Sequence, residues 1–430
     1  MDARVESAHD AGSGDGRQVR VLRVQASKKA ANTEESPMDF SLNQKQTAWR
    51  DKACRFAAEE VRPISLECDA IADPVATWDW DIIRKGSKLG FRTAVVSEEE
   101  GGHGIDFVTQ AIVMTELAKA DSAISKAFSQ CWKWSHLIAK VCNDDQKERF
   151  LKPFLADDTY VIGFGATEPT SGSDNRMPPD DIRAGVRLNG VVDGDEMVLN
   201  GSKLFIANGS VGKLFFLFVR TDPTVHVTQG TTMVMLERGT PGFHHAKVFN
   251  KSGWRFYQNA ELVFEDCRIP MANVVGEVNG ALRRGEGEIG GDIFGDLELA
   301  ANGLGICDDA CESAIEVAKT REQGGRPLKD QQLVALKIGR MKMLTEALRS
   351  YVMRVAWEHD QKIPSVHAGL AMNLATDTIQ EVADLAMDVF DRAGGPMDRH
   401  ADKLARDTYI WSHLAGDSVQ RLKIVRRMLH

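Results

Sequence analysis

A chain of 430 residues, 43% hydrophobic and 27% charged, is long enough for two or three domains and has a globular rather than a disordered composition. Its formal net charge of −9 argues against nucleic acid or an anionic membrane as the main partner, and no apolar run approaches the length of a membrane span. The cysteines (Cys54, Cys68, Cys131, Cys142, Cys267, Cys307 and Cys311) are scattered, odd in number and lack any Cys-x-x-Cys pair. That is neither a disulfide framework nor a zinc pattern, so no metal site is expected and the protein reads as cytoplasmic with reduced thiols.

Residues 1–37 are rich in Ala, Ser, Gly and charge without apolar periodicity, and are expected to form a disordered tail without a secretory signal. From 42 to 158 the pattern is helical. Apolar residues share one face over 46–61, with Pro63 expected to end that helix, and further helices are predicted over 78–90 and 107–119. Gly101-Gly102-His103-Gly104 marks a loop between the last two. Over 129–136 the chain carries Trp132 and Trp134, which either pack as core or narrow a pocket.

From 159 to 275 the period changes to two, with strands predicted over 214–219 and 232–236 between glycine-marked turns. Two stretches here carry polar turns. One is Phe164-Gly165-Ala166-Thr167-Glu168-Pro169-Thr170-Ser171-Gly172-Ser173-Asp174. The other is Asn200-Gly201-Ser202-Lys203-Leu204-Phe205-Ile206-Ala207-Asn208-Gly209. Each reads as β-structure entering a turn whose N–H groups and hydroxyls can meet a polar ligand, although ordinary loops of a β domain have the same composition. Between them, 175–192 reads as an inserted surface loop. Beyond 276 amphipathic helices are predicted over 308–321, 331–358, 365–393 and 400–429, broken at Gly324-Gly325 and Gly394-Gly395.

The two polar stretches resemble the flavin-binding middle domain of the acyl-CoA dehydrogenase family. Its patterns there are aromatic-x-small-Thr-Glu-Pro-x-(Ala/Ser)-Gly-Ser-Asp and Asn-Gly-x-Lys-x-(Trp/Phe)-Ile-(Thr/Ser)-Asn-Gly. The resemblance extends over 38–430. It implies an α+β fold in three parts: an N-terminal α-helical domain (38–158), a middle β-barrel or sandwich domain (159–275) and a C-terminal α-helical bundle (276–430). It also implies an FAD cofactor, an acyl-CoA substrate, an electron-transferring flavoprotein as acceptor and a homo-oligomer, dimer or tetramer. By position, Phe164 matches the aromatic near the isoalloxazine, Ala166 and Thr167 the residues bonding its pyrimidine edge, and Ser173 one bonding the pyrophosphate. Phe205 matches the aromatic stacked on the flavin. Arg321, Gln332, Gly394 and Gly395 match residues that hold FAD of the adjacent subunit, although Gly324 replaces the usual Phe of the Arg321 segment. The helix with Trp132 and Trp134 matches one that contributes to the acyl pocket.

Three departures bear on the reaction. Ala207 stands where the family has a hydroxyl near flavin N5, so the flavin's electronics are expected to shift. Dehydrogenation also needs a carboxylate to remove the substrate's α-proton, and Ala415 and Gly295 occupy the family's two positions for that Glu. The remaining candidates are Asp296 and Glu298, with Asp292 nearby. The two candidates lie two residues apart and are expected on different helix faces, and the competing role for Glu298 is a surface or capping acid. The sequence therefore leaves open an acyl-CoA dehydrogenase with a displaced base, a relative running flavin-dependent monooxygenation or non-oxidative elimination, and a flavin-binding subunit whose homologous partner carries the base.

Overall fold

Asn43 opens the helical region through a capping box: its side chain accepts the N–H of Gln46 at 2.9 Å, and the Gln46 side chain accepts the N–H of Asn43 at 3.0 Å. Helix α1 (Gln44–Phe56) passes through a π turn (Ala57–Val61) into α2 (Arg62–Ala70). Pro63 therefore does not end the helix as predicted. It sits in the first turn of α2, where a missing N–H breaks no bond. The computed structural model describes residues 41–175, 179–282, 293–363, 367–390 and 399–415, with Leu422, Val425 and Leu429 beyond. The expected tail at 1–37, Asp292, Gly394 and Gly395 lie outside these.

Helix α3 (Trp80–Lys88) is capped by Asp79. Helices α4 (Phe107–Ala120) and α5 (Ser122–Val141) are separated by Asp121 alone, whose carboxylate accepts the N–H groups of Ala123 and Ile124 at 2.8 and 2.9 Å. The short α6 (Asp144–Gln146) and α7 (Lys152–Ala156) lead into the strands.

The strands are β1 (Ile162–Gly165), β2 (Asn189–Asp193), β3 (Glu196–Ala207), β4 (Leu214–Arg220), β5 (Thr231–Glu237), β6 (Phe243–Val248) and β7 (Asn259–Pro270). They form one seven-stranded sheet in the order β1-β4-β2-β3-β7-β6, with β5 on β4 and a further β1–β3 pairing. Its buried face holds a separate core around Met197, Leu199, Phe215, Leu217, Leu236 and Phe264.

Four helices follow: α8 (Glu298–Thr320), α9 (Gln332–Asp360), α10 (His367–Phe390) and α11 (Arg399–Ala415). Helix α8 begins well before the predicted 308. Its first turns pack through Ala300, Ala301, Gly303 and Gly305, small residues that give no strong apolar period. A Cβ on Gly305 would stand 2.5 Å from the carbonyl oxygen of Thr115, so glycine allows α4 and α8 to touch backbone to backbone. The chain thus runs from helices through a sheet to helices. Among the described residues no helix is long and apolar enough to cross a membrane, and no group of His, Cys, Asp and Glu could hold a metal. All seven cysteines are free thiols.

Candidate active site

Strand β1 presents Phe164 opposite Ala207 of β3 and beside Phe216 of β4. The Trp134 ring, buried on α5, stacks on Phe164 at 4.2 Å and on Phe216 at 4.9 Å. Parallel rings in dispersion contact bury large apolar area and fix each other's orientation. Trp134 is thus part of the packing that holds Phe164 in place.

After Phe164 the chain turns sharply. Glu168 and Ser171 exchange backbone hydrogen bonds, and Asp174 accepts the N–H groups of Gly172 at 2.7 Å and Gly185 at 2.8 Å. Burial pushes the Asp174 carboxyl up, but these donors outweigh it and hold it below the usual range. Part of the expected inserted loop is thereby drawn onto the turn.

The two motif stretches are joined by an ion pair that sequence reasoning missed. Lys203 Nζ lies 2.7 Å from Glu168 Oε1, with both side chains essentially inaccessible. Glu168 also accepts the N–H groups of Arg187 and Leu188 at 2.7 and 2.8 Å, and Lys203 reaches the carbonyl of Ala166 at 3.3 Å. Burial pushes the Lys203 ammonium down to about 8 against the pull of Glu168. The signal was present: Lys203 shares the inward parity of β3 with Met197 and Leu199.

Beyond Lys203 the β3–β7 register shifts, and Phe205 adopts a left-handed φ of 57°. Its ring is 49% exposed and lies 4.3 Å from that of Phe249. The strained backbone is held from below: Asn259 donates to the Phe205 carbonyl at 2.8 Å, and Lys251 donates to Asn259 Oδ1 at 2.5 Å and to the Tyr257 carbonyl. Burial lowers the Lys251 ammonium to about 7. Ala207, half-buried opposite Phe164, offers only its backbone.

These residues fit a flavin. Among the described residues no protein group bonds the hydroxyl of Thr167 or of Ser173, nothing stands within 4 Å of where a Cβ on Gly172 would lie, and the Phe205 ring is open on one side. Uncommitted hydroxyls beside an open glycine turn and an aromatic face form the donor set that a phosphate and a planar ring require.

Arg321 caps the end of α8 and donates to the carbonyl of Phe390 at 3.0 Å. Gln332 begins α9 after a tight ribbon, Glu322–Gln323 against Arg326–Pro327, that turns on Gly324 and Gly325 at φ 63° and 76°. Both lie on the α8–α9 connection, away in the chain from the β1–β3 stretches.

The segment before α8 is a π turn (Ile293–Leu297) carrying Gly295 and Asp296. Asp296 and Glu298 are both buried, at 5% and 7% exposure, so Glu298 is not a surface acid. Glu298 reaches α5, where Lys126 Nζ bonds its two oxygens at 2.8 and 2.9 Å and Ser129 donates to it as well. One turn on, Gln130 accepts the hydroxyl of fully buried Tyr257 at 2.9 Å. Ala415 closes α11.

Helix α11 is locked to the sheet by Asp407, which accepts the Trp254 N–H at 2.6 Å and pairs with Lys403 at 2.5 Å. Burial raises the Asp407 carboxyl against Lys403. A Cβ on Gly253 would stand 2.4 Å from the Arg406 carbonyl oxygen, so only glycine lets the loop meet the helix.

Family models match along the chain: the acyl-CoA dehydrogenase N-terminal domain over 43–158, its middle domain over 163–267 and its C-terminal domain over 295–429. A short-chain specific acyl-CoA dehydrogenase of Clostridium acetobutylicum is 31% identical over 393 residues, covering 90% of this chain and 98% of that protein. The structure of butyryl-CoA dehydrogenase from Megasphaera elsdenii superposes with a TM-score of 0.82 at 30% identity, covering 91% of this chain and 100% of that one. A chain in a structure described as an electron transferring flavoprotein of Acidaminococcus fermentans has the same TM-score at 31% identity and the same coverage. With all three domain models in order and relatives of this identity over nearly its whole length, the chain belongs to the acyl-CoA dehydrogenase family.

Proposed function

We propose that the protein is an FAD-dependent acyl-CoA dehydrogenase that oxidises the α,β carbons of an acyl-CoA thioester and passes the electrons to an electron-transferring flavoprotein. The observation that carries this is the Lys203–Glu168 pair, which holds both flavin stretches in one unit with the Thr167 and Ser173 hydroxyls uncommitted. The short-chain and butyryl-CoA relatives support a small acyl group. FAD, when bound, supplies the two-electron acceptor. Phe164, Ala166, Thr167, Ser173, Phe205 and Ala207 hold it, with the acyl group lying along α5 beyond Trp134.

Removal of the α-proton falls in this reading to Asp296. The π turn carries it at the place next to Gly295, where the resemblance expects the base, and Glu298 is paired with Lys126. The domains divide at 158 and 275. Arg321, Gln332, Gly394 and Gly395 serve the cofactor of a neighbouring copy in a cytoplasmic homo-oligomer. Exposed Leu333, Leu336 and Met343 on α9 support a covered face.

A second reading is flavin chemistry without a carboxylate base. Ala207, Ala415 and Gly295 favour it. Anaerobic addition of butyryl-CoA to the purified holoprotein separates the two. Bleaching of the flavin absorbance is expected, with Asp296→Asn abolishing it. Absence of bleaching by any acyl-CoA, with oxygen uptake and a hydroxylated product after chemical reduction, supports the monooxygenase form of the second reading instead.

A further inference from the structure

We propose that Lys126 and Glu298 form the floor of the acyl site, and that Lys126 selects an acyl chain ending in a neutral oxygen, a hydroxyl or carbonyl, over a plain alkyl chain. This rests on the acyl-CoA reading above.

On α5, Lys126, Ser129, Gln130, Lys133 and Trp134 share one face by helical spacing. Trp134 marks the flavin end of that face through its stack on Phe164. Lys126 lies two turns away, about 12 Å along the helix axis. Lys126, Gln130 and Lys133 keep some exposure while their neighbours are buried, so the face is not sealed along its length. At its far end Glu298 crosses from α8 and closes it.

The pair does not explain itself as a stabilising device. Its side chains are 12% and 6% exposed. Two charges at that depth lose hydration that their mutual attraction barely returns, and apolar side chains of the same volume serve stability as well or better. The arrangement is also incomplete. A lysine ammonium has three N–H donors. The bonds to the two Glu298 oxygens use two of them, and no other acceptor bonds Lys126 among the described residues. The third donor is left for a ligand.

A chain end arriving there meets that donor. An alkyl terminus desolvates the ammonium without replacing the lost water, which is unfavourable. A hydroxyl or carbonyl oxygen accepts the N–H and restores the balance. A carboxylate fits less well, because Lys126 is already neutralised and the added negative charge lies beside Glu298 in a poorly screened space.

The test uses holoprotein and three CoA thioesters of similar reach: 4-hydroxybutyryl-CoA, pentanoyl-CoA and succinyl-CoA. Calorimetric Kd and the anaerobic bleaching rate are measured for wild type, Lys126→Met and Lys126→Gln. Wild type is expected to bind 4-hydroxybutyryl-CoA about tenfold more tightly than either of the others. Lys126→Met should reverse the order of the first two, and Lys126→Gln, which keeps an N–H donor, should preserve it. A merely structural role lowers all affinities together and leaves their ratio unmoved, and that result overturns the proposal. Equal or tighter binding of pentanoyl-CoA by wild type also overturns it while leaving the acyl-CoA reading intact. If none of the three binds or bleaches, both fall. Should Lys126→Met fail to fold, the wild-type ratio alone decides.

Discussion

Lys203 Nζ and Glu168 Oε1 stand 2.7 Å apart with essentially no access to solvent, joining the two polar stretches that carry the family resemblance. The carboxylate further ties down Arg187 and Leu188, so one buried charge organises three segments. Lys203→Met leaves Glu168 buried without its counter-charge. A loss of about 3–5 kcal/mol is expected in denaturant unfolding, with the bound flavin absorbance falling in parallel. Lys203→Met combined with Glu168→Gln should recover part of that loss, because the uncompensated charge is removed; an additive double variant contradicts the pairing.

Trp134 makes two ring stacks and fills the space between α5 and the sheet. Trp134→Ala opens a cavity there, with an expected cost of about 3–5 kcal/mol. Trp134→Phe should cost roughly 1–2 kcal/mol and keep flavin affinity, since a ring still supports Phe164. Flavin affinity that is unchanged in the alanine variant would show that Phe164 orients itself.

Asp407 joins α11 to the loop carrying Trp254, and Lys403 joins both to Asp121 at 3.0 Å. Asp407→Ala orphans the Trp254 N–H and unbalances Lys403, so a loss of about 3 kcal/mol is expected. Trp254 fluorescence should shift with it. Gly253→Ala should reproduce the fluorescence shift through the clash with Arg406 alone, with the charges untouched.

Asp360, at the end of α9, caps α4 by accepting the N–H groups of Phe107 and Val108 at 2.8 and 3.0 Å. Burial raises its carboxyl to about 6 despite those donors. A folded-state value above the unfolded one means that the folded protein holds the extra proton between about pH 4 and 6. The contribution to stability is therefore greatest at acid pH and is lost as pH rises through 6. Relative to Asp360→Asn, wild type should lose roughly 1 kcal/mol between pH 4 and 7, a figure reduced because the carboxylate is partly solvated. Thermal unfolding of both proteins across that range checks the sign, and parallel curves would refute it.

Helix against strand was legible where the apolar period holds, as over α3 and the first residues of β3, whereas α4 and β4 are buried on nearly every side. It failed where other physics took over. Pro63 lies inside a helical run because a π turn restarts the helix around it. The start of α8 gave no strong apolar period because Ala and Gly pack it by close backbone approach.

By itself the sequence, through its resemblance to a known family, pointed to a flavin and to the two polar stretches as its candidate site, since motif order is a local property of the chain. It also placed Ala415 and Gly295 where the resemblance expects the catalytic Glu. Only the tertiary structure decided where the charges go. The sequence left Glu298 open between a candidate base and a surface or capping acid; it is buried against Lys126, a residue 172 positions away in the chain. Likewise Lys203 meets Glu168 across 35 positions. Buried ion pairs depend on desolvation and on which elements meet, and neither is written in the spacing of residues along one strand or helix.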